Sequence, residues 1–159
     1  MNITIRKAVD KDYPVIIDVL KEFAVFQKMP DGTVTNTAEL MKEEEDFFEC
    51  FVAENDNGDF VGMASFFFAY YTWSGKSLYL EDLYVREQFR KKKVGKLLLD
   101  KVFETARATN CKRVRWLVSH WNQPAIDFYI QCGASIHKEE FVCEVDREGI
   151  DNYIHNIGK

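Results

Sequence analysis

Residues 48–85 carry three apolar runs, "FECFVAEN", "FVGMASFFFAYY" and "KSLYLEDLYV", with the turn "DNGD" between the first two. Asn, Gly and Asp tolerate the left-handed backbone of a tight reversal, so this pattern specifies a hairpin. The third run follows after a short break. The middle of the chain is therefore committed to an antiparallel meander, and the rest of the molecule must fold around that sheet.

On the N-terminal side, "ITIRKA" alternates as a strand, and "DKDYPVIIDVLKEFAVF" reads as a helix. Asp10 or Asp12 supplies its cap, Pro14 its first turn, and Ile16, Val19, Leu20 and Phe23 its apolar spacing. "MPDGT" ends it. Asn36 and Glu39 stand three apart like a capping box and open a second helix through "AELMKEEEDF". After the meander, "RKKKVGKLLLDKVFETA" predicts a helix with Val94, Leu97, Leu98, Val102 and Phe103 on its apolar face. "KRVRWLVS" is expected as a strand, "NQPAIDFYIQCG" as a short helix capped by Asn122, "FVCEVD" as a closing strand and "REGIDNYIHN" as a terminal helix. The fold class is α+β: a mixed, mostly antiparallel sheet of about six to seven strands flanked by about four to five helices. Regular βαβ alternation is missing, which disfavours a dinucleotide-binding fold.

No repeat, low-complexity segment or linker divides the 159 residues, and a single domain, 1–159, is expected. A net charge of −5 argues against a general nucleic-acid binder, which needs broad phosphate neutralisation. The longest apolar run is too short to span a bilayer, and the N-terminus lacks a secretory core, so no membrane partner is expected. Four scattered cysteines without a C-x-x-C pair suggest free buried thiols in a reducing, cytoplasmic setting. His120, His137 and His155 show no ligand spacing, and no metal is expected.

Against that acidic background, "RKKKVGK" concentrates cations at a helix entrance. A helix N-terminus already carries unpaired N–H groups and positive dipole, so added cations there are unfavourable unless an anion binds. The turn after the strand "YLEDLYV" has the form of an anion cradle, with Gly95 allowing close approach of a ligand. The Walker pattern is absent, so ATP and GTP are not implied.

These residues resemble the cofactor loop R-x-x-G-x-G/A of the GNAT superfamily of acetyl-CoA-dependent N-acetyltransferases. The flanking runs "SGKSLYLEDLYV" and "HWNQPAIDFYIQCGA" extend the resemblance, which is to the diamine (spermidine/spermine) and thialysine branch. It implies a GNAT-like fold, acetyl-CoA as acetyl donor and a homodimer. By this resemblance Arg90, Lys91, Lys92, Lys93, Val94, Gly95 and Lys96 hold the pyrophosphate. Leu83, Tyr84 and Val85 line the acetyl and pantetheine portion, with Asn122, Pro124 and Ala125 beside it. Lys93 stands where the family has its first loop glycine. Right-handed backbone is expected there, in which lysine fits without strain.

A primary alkylamine is about 99.9% protonated at pH 7, so its attack on a thioester needs a proton acceptor. The departing thiolate needs a donor. The resemblance assigns Glu81 to hold the amine and take its proton, through water, with Asp82 attracting the cation. Neighbouring strand residues face opposite sides, so a bulge is implied if both are to serve one cleft. Tyr129 is assigned as general acid to the thiolate. Phe26, Gln27, Trp73, Glu139 and Glu140 are the remaining candidates for the acceptor region, Trp73 as an aromatic wall for a cation. "VFQKM" looks more like the thialysine enzymes than the spermidine ones, which favours a small cationic amine. A non-catalytic acyl-CoA-binding module and a protein-lysine acetyltransferase are the rival readings.

Overall fold

The computed structural model describes residues 2–156, which fall into two compact units divided after Ser119. The first holds five strands: β1 (Ile3–Lys7), β2 (Glu49–Asn55), β3 (Phe60–Tyr71), β4 (Gly75–Val85) and β5 (Val114–Arg115). They lie in the order β1-β2-β3-β4-β5, antiparallel except for β5, which runs parallel to β4. The hairpin expected at "DNGD" joins β2 to β3. Asn55 Oδ1 accepts from the N–H groups of Asn57 and Asp59, and Gly58 takes the left-handed turn position, φ 79°.

Helix α1 (Tyr13–Phe26) follows a 3-10 turn over Asp10–Asp12. Asp12 takes the Val9 N–H at 2.8 Å and a bidentate grip from Arg6 at 2.6 and 2.8 Å, tying β1 to the helix entrance. Lys28, with φ 60°, ends the helix, and the Met29 N–H reaches back to Ala24. Tyr13, Ile16, Ile17 and Val19 are buried with Val52, Met63 and Tyr84 on one sheet face. Helix α2 (Ala38–Glu43) adds Met41 to that core. Its cap is Thr37, whose hydroxyl accepts from Leu40 N–H, and not Asn36: the Asn36 side chain is used by the Thr37 N–H.

Helix α3 (Val94–Ala108) packs on strands β1 to β4. It buries Val94, Leu98, Leu99, Val102 and Ala106, while Leu97, expected inside, is 40% exposed. The buried stripe follows the spacing 94-98-102-106, and Leu97 falls beside it. Gly62 on β3 is required at this contact, since a Cβ there would stand 2.7 Å from the Tyr84 carbonyl and 3.4 Å from Leu98.

The second unit holds α4 (Gln123–Gln131) and α5 (Arg147–Asn156), the latter with the bounds expected. The five helices match expectation, but the sheet has five strands, not six to seven. Residues 116–119 join no ladder, and neither does "FVCEVD". Phe141, Val142 and Val145 are 93%, 69% and 65% exposed. Alternation gives a segment two faces, but a strand exists only where another backbone is available to pair. Among the described residues of the second unit no ladder forms. No helix among the described residues is long and apolar enough to cross a membrane.

Candidate active site

The β3–β4 ladder changes register in mid-strand. Phe66 pairs with Leu80, but Ser65 pairs with Asp82, so Glu81 is the extra residue of a β-bulge. The implied irregularity is therefore present. It lets Leu80 and Leu83, three residues apart, pair with Phe66 and Ala64 of one β3 face. On the opposite face Asp82 accepts a 2.6 Å hydrogen bond from the Ser65 hydroxyl. Burial raises the Asp82 carboxyl above its ordinary range, and the Ser65 hydrogen bond opposes the rise. Glu81 is exposed at the bulge. Its carboxyl is also raised, by partial desolvation first and by the Asp82 charge second.

The β4–β5 ladder covers only Leu78–Val114 and Tyr79–Arg115. Beyond Leu80, β4 has no ladder partner on its β5 side among the described residues. On that side Leu83, Tyr84 and Val85 have no strand partner among the described residues, and the Val85 carbonyl is taken by the Arg90 side chain.

The basic loop leads from β4 into α3. Lys91 and Lys93 both have left-handed backbone, φ 60° and 63°, directly before the helix. The right-handed conformation expected for Lys93 is overturned: the turn imposes the glycine geometry on a lysine. Left-handed backbone at two alternate residues is the geometry from which an anion nest is built, and here it lies directly before a helix start. Gly95 lies over Val85, a Cβ there meeting the valine at 3.7 Å. The cations do not act alike. Arg90 Nε donates to the Val85 carbonyl at 2.9 Å, and its guanidinium lies over the rings of Phe26 and Tyr84 at 4.5 and 5.4 Å. Lys92 lies over Phe89, and Lys96 pairs with Asp100. Lys91 and Lys93 have no carboxylate partner among the described residues.

Phe26, at the end of α1, packs with Phe23 and Tyr84, so it adjoins the end of β4. Gln27 accepts a 2.9 Å hydrogen bond from Ser119. Trp73 is fully exposed in the β3–β4 turn. Six residues of strand, about 20 Å, separate Gly75 beside it from Glu81, so the fold does not bring Trp73 to the carboxylates.

Within the second unit, Asn122 caps α4 as expected, its Oδ1 accepting from Ala125 N–H at 3.3 Å, with Pro124 in the first turn. Tyr129 is buried, and burial pushes its phenol up to about 12, so the hydroxyl keeps its proton at neutral pH. Glu139 and Glu140 are exposed in irregular chain. No group of three or more potential metal ligands occurs among the described residues.

Two contributors were missed in the sequence. Counting back from the turn pairs Ser65 with Glu81, and only the bulge moves it opposite Asp82. The Arg90–Val85 bond has no sequence signature. Cys50, also opposite Ser65, is the only cysteine that is buried, and burial raises its thiol to about 12, so it is inert.

A bulged acidic strand, a ladder that stops short and a left-handed basic turn at the next helix form one connected arrangement. A sequence profile of the Acetyltransferase (GNAT) family matches residues 15–134. The chain is 32% identical over 143 residues to the thialysine N-epsilon-acetyltransferase of Sus scrofa, covering 84% of each protein. It is 35% identical over 139 residues to the spermidine/spermine N(1)-acetyltransferase-like protein 1 of Homo sapiens, covering 82% of this chain and 20% of that longer one. A predicted acetyltransferase from Clostridium acetobutylicum, solved with acetyl-CoA, superposes with a TM-score of 0.75 at 16% identity, covering 90% of this chain and 96% of that one. The fold, the strand-to-helix loop and these relatives lead to one assignment: the chain belongs to the GNAT family of acetyltransferases.

Proposed function

We propose that this acetyltransferase uses acetyl-CoA to acetylate the primary amine of a small cationic acceptor, by direct attack in a ternary complex. The bulge at Glu81 carries the reading. It sets two carboxylates of raised pKa beside the stretch of β4 that β5 does not reach, one short loop away from an anion nest. The nest at Lys91 to Lys96 suits a pyrophosphate, and the β4 edge at Leu83 and Tyr84, without a strand partner on its β5 side among the described residues, suits an extended amide chain, so the residues present fit the donor. When bound, acetyl-CoA supplies the acetyl group as a thioester.

The chain's own groups do the rest. Asp82 and Glu81 attract the ammonium form of the acceptor. Glu81, basic because it is partly desolvated, takes the ammonium proton through water and passes it to bulk solvent; the freed amine forms the new C–N bond, and its surplus N–H proton leaves by the same route. As the C–S bond breaks, Tyr129, assigned by family resemblance, donates its phenolic proton to the sulfur, and bulk water reprotonates the phenol. The relatives named for thialysine and polyamine chemistry support an amine acceptor, and "VFQKM" at the end of α1 favours a short one. We further propose a single domain, a cytoplasmic location and a homodimer, the last resting on the resemblance alone.

The test is thiol release from acetyl-CoA with a panel of thialysine, lysine, diaminopropane, putrescine, spermidine and a lysine-bearing peptide. The reading expects turnover with one or more of the small amines and little with the peptide. Turnover confined to the peptide would replace it with protein-lysine acetylation. Acetyl-CoA binding without turnover on any amine would point to a binding module.

A further inference from the structure

A cavity of about 380 Å³ lies at the far end of α3, lined by residues between 103 and 114, among them Phe103, Ala106, Arg107, Lys112, Arg113 and Val114. Phe103 and Arg107 lie ten and fourteen residues along the helix from Lys93, which puts the cavity about 15–20 Å from the donor nest. Its floor is apolar: Ala106 is buried, and Phe103 and Val114 are half-buried. Its wall is basic. Arg107, Lys112 and Arg113 are exposed, and none has a carboxylate partner among the described residues, in a chain whose net charge is −5.

The usual reason for cations here would be the helix C-terminus, whose carbonyls and dipole attract them. Much of that demand is already met within the chain. The Thr105 carbonyl accepts from Thr109, Ala106 from Cys111, Arg107 from Asn110, and Thr109 from the Lys76 ammonium at 3.1 Å. Backbone bonds fix the segment as well: Lys112 N–H donates to Lys76, and the Arg113 carbonyl accepts from Leu78. Arg113 lies over the Tyr71 ring at 4.3 Å, which orients its guanidinium. Three cationic residues thus border one concavity, and none is neutralised by a carboxylate among the described residues.

We propose that this cavity is a second anion site, for a phosphomonoester carried on a small aromatic or apolar body of nucleoside-monophosphate size. A dianion matches clustered cations better than a single carboxylate does. The apolar floor, with the Phe103 ring, supplies the surface that a bare phosphate would leave uncovered. The site does not depend on the acyl-transfer reading.

Adenosine monophosphate is the probe. It is titrated by calorimetry and by amide chemical shifts into the protein, alone and with saturating coenzyme A to block the donor nest. Shifts should cluster at residues 103–114 and persist with coenzyme A. Arg107→Glu/Lys112→Glu should weaken the binding tenfold or more, as expected for two reversed charges near a dianion. Lys91→Glu/Lys93→Glu should leave it unchanged, and adenosine and inorganic phosphate should each bind more weakly than the monophosphate. The variant's thermal melt is checked against the parent, and a single Lys112→Ala, expected to weaken binding severalfold, serves if the double variant does not fold. Binding abolished by coenzyme A, shifts confined to the α3 start, or full affinity in the charge-reversed cavity would each overturn the proposal.

Discussion

Lys93 is where the sequence and the backbone disagree. An L-residue in the left-handed region costs about 1–2 kcal/mol, because Cβ crowds the following carbonyl. Lys93 sits there at φ 63°, so the loop holds a lysine in a backbone conformation that suits glycine and carries the cost. Lys93→Gly should raise stability by up to about 1 kcal/mol, the relief of strain being offset in part by the freer unfolded glycine. Urea unfolding measures this. The same change removes a cation beside the nest, so acetyl-CoA affinity should become less sensitive to salt. Unchanged stability would mean that the turn holds lysine without strain, and an unchanged salt slope would mean that the ammonium points elsewhere. The left-handed backbone was not legible beforehand: apolar periodicity reports which face a residue takes, not its φ, and the lysine hid the glycine signal.

Tyr129 tests the proposed acid at the same scale. Tyr129→Phe keeps the buried ring and removes the hydroxyl, so the fold should hold. Turnover should fall by about 10- to 10³-fold with the Michaelis constant for acetyl-CoA little changed, because the lost bond strengthens mainly in the transition state. Steady-state kinetics decides it. Wild-type turnover would return Tyr129 to packing, and lost binding would make it a donor contact.

At the scale of elements, the bulge is the device on which the site depends. Removing Glu81 alone would make the β3–β4 register regular while leaving Leu80 and Asp82 on the faces they already occupy. The Glu81-deleted chain should therefore keep its far-ultraviolet circular dichroism and cooperative melt, yet lose turnover by more than about 10²-fold. Retained activity would show that the bulge is incidental, and an unfolded chain would show that it is structural. The hairpin, α3, α4 and α5 were legible because their apolar spacing and turn residues agree. The strand expected at 141–146 does not form, because pairing is a property of two segments and alternation is a property of one. The α2 cap was misread by one residue because Asn36 and Thr37 are both good caps, and only the backbone decides which carbonyl begins the helix.

For the whole molecule, the proposed homodimer is checked by light scattering at micromolar concentration, where a mass near twice that of the 18.6 kDa chain is expected and a monomer would end the claim. The central claim is chemical: Glu81 acts through its charge and takes a proton from a cationic amine. Its raised pKa fixes the sign of the pH dependence, since below that pKa the protonated carboxyl cannot accept a proton and the rate falls. At high pH the amine supplies its own free base, and Tyr129, pushed up to about 12, still holds its proton at pH 10. The most direct measurement is the ratio of wild-type to Glu81→Gln turnover at pH 7 and at pH 10, with one small amine and saturating acetyl-CoA. The account predicts a ratio of about 10² at pH 7 that shrinks severalfold or more at pH 10. An equal ratio at both pH values would contradict it, leaving Glu81 only a shaping residue of the bulge.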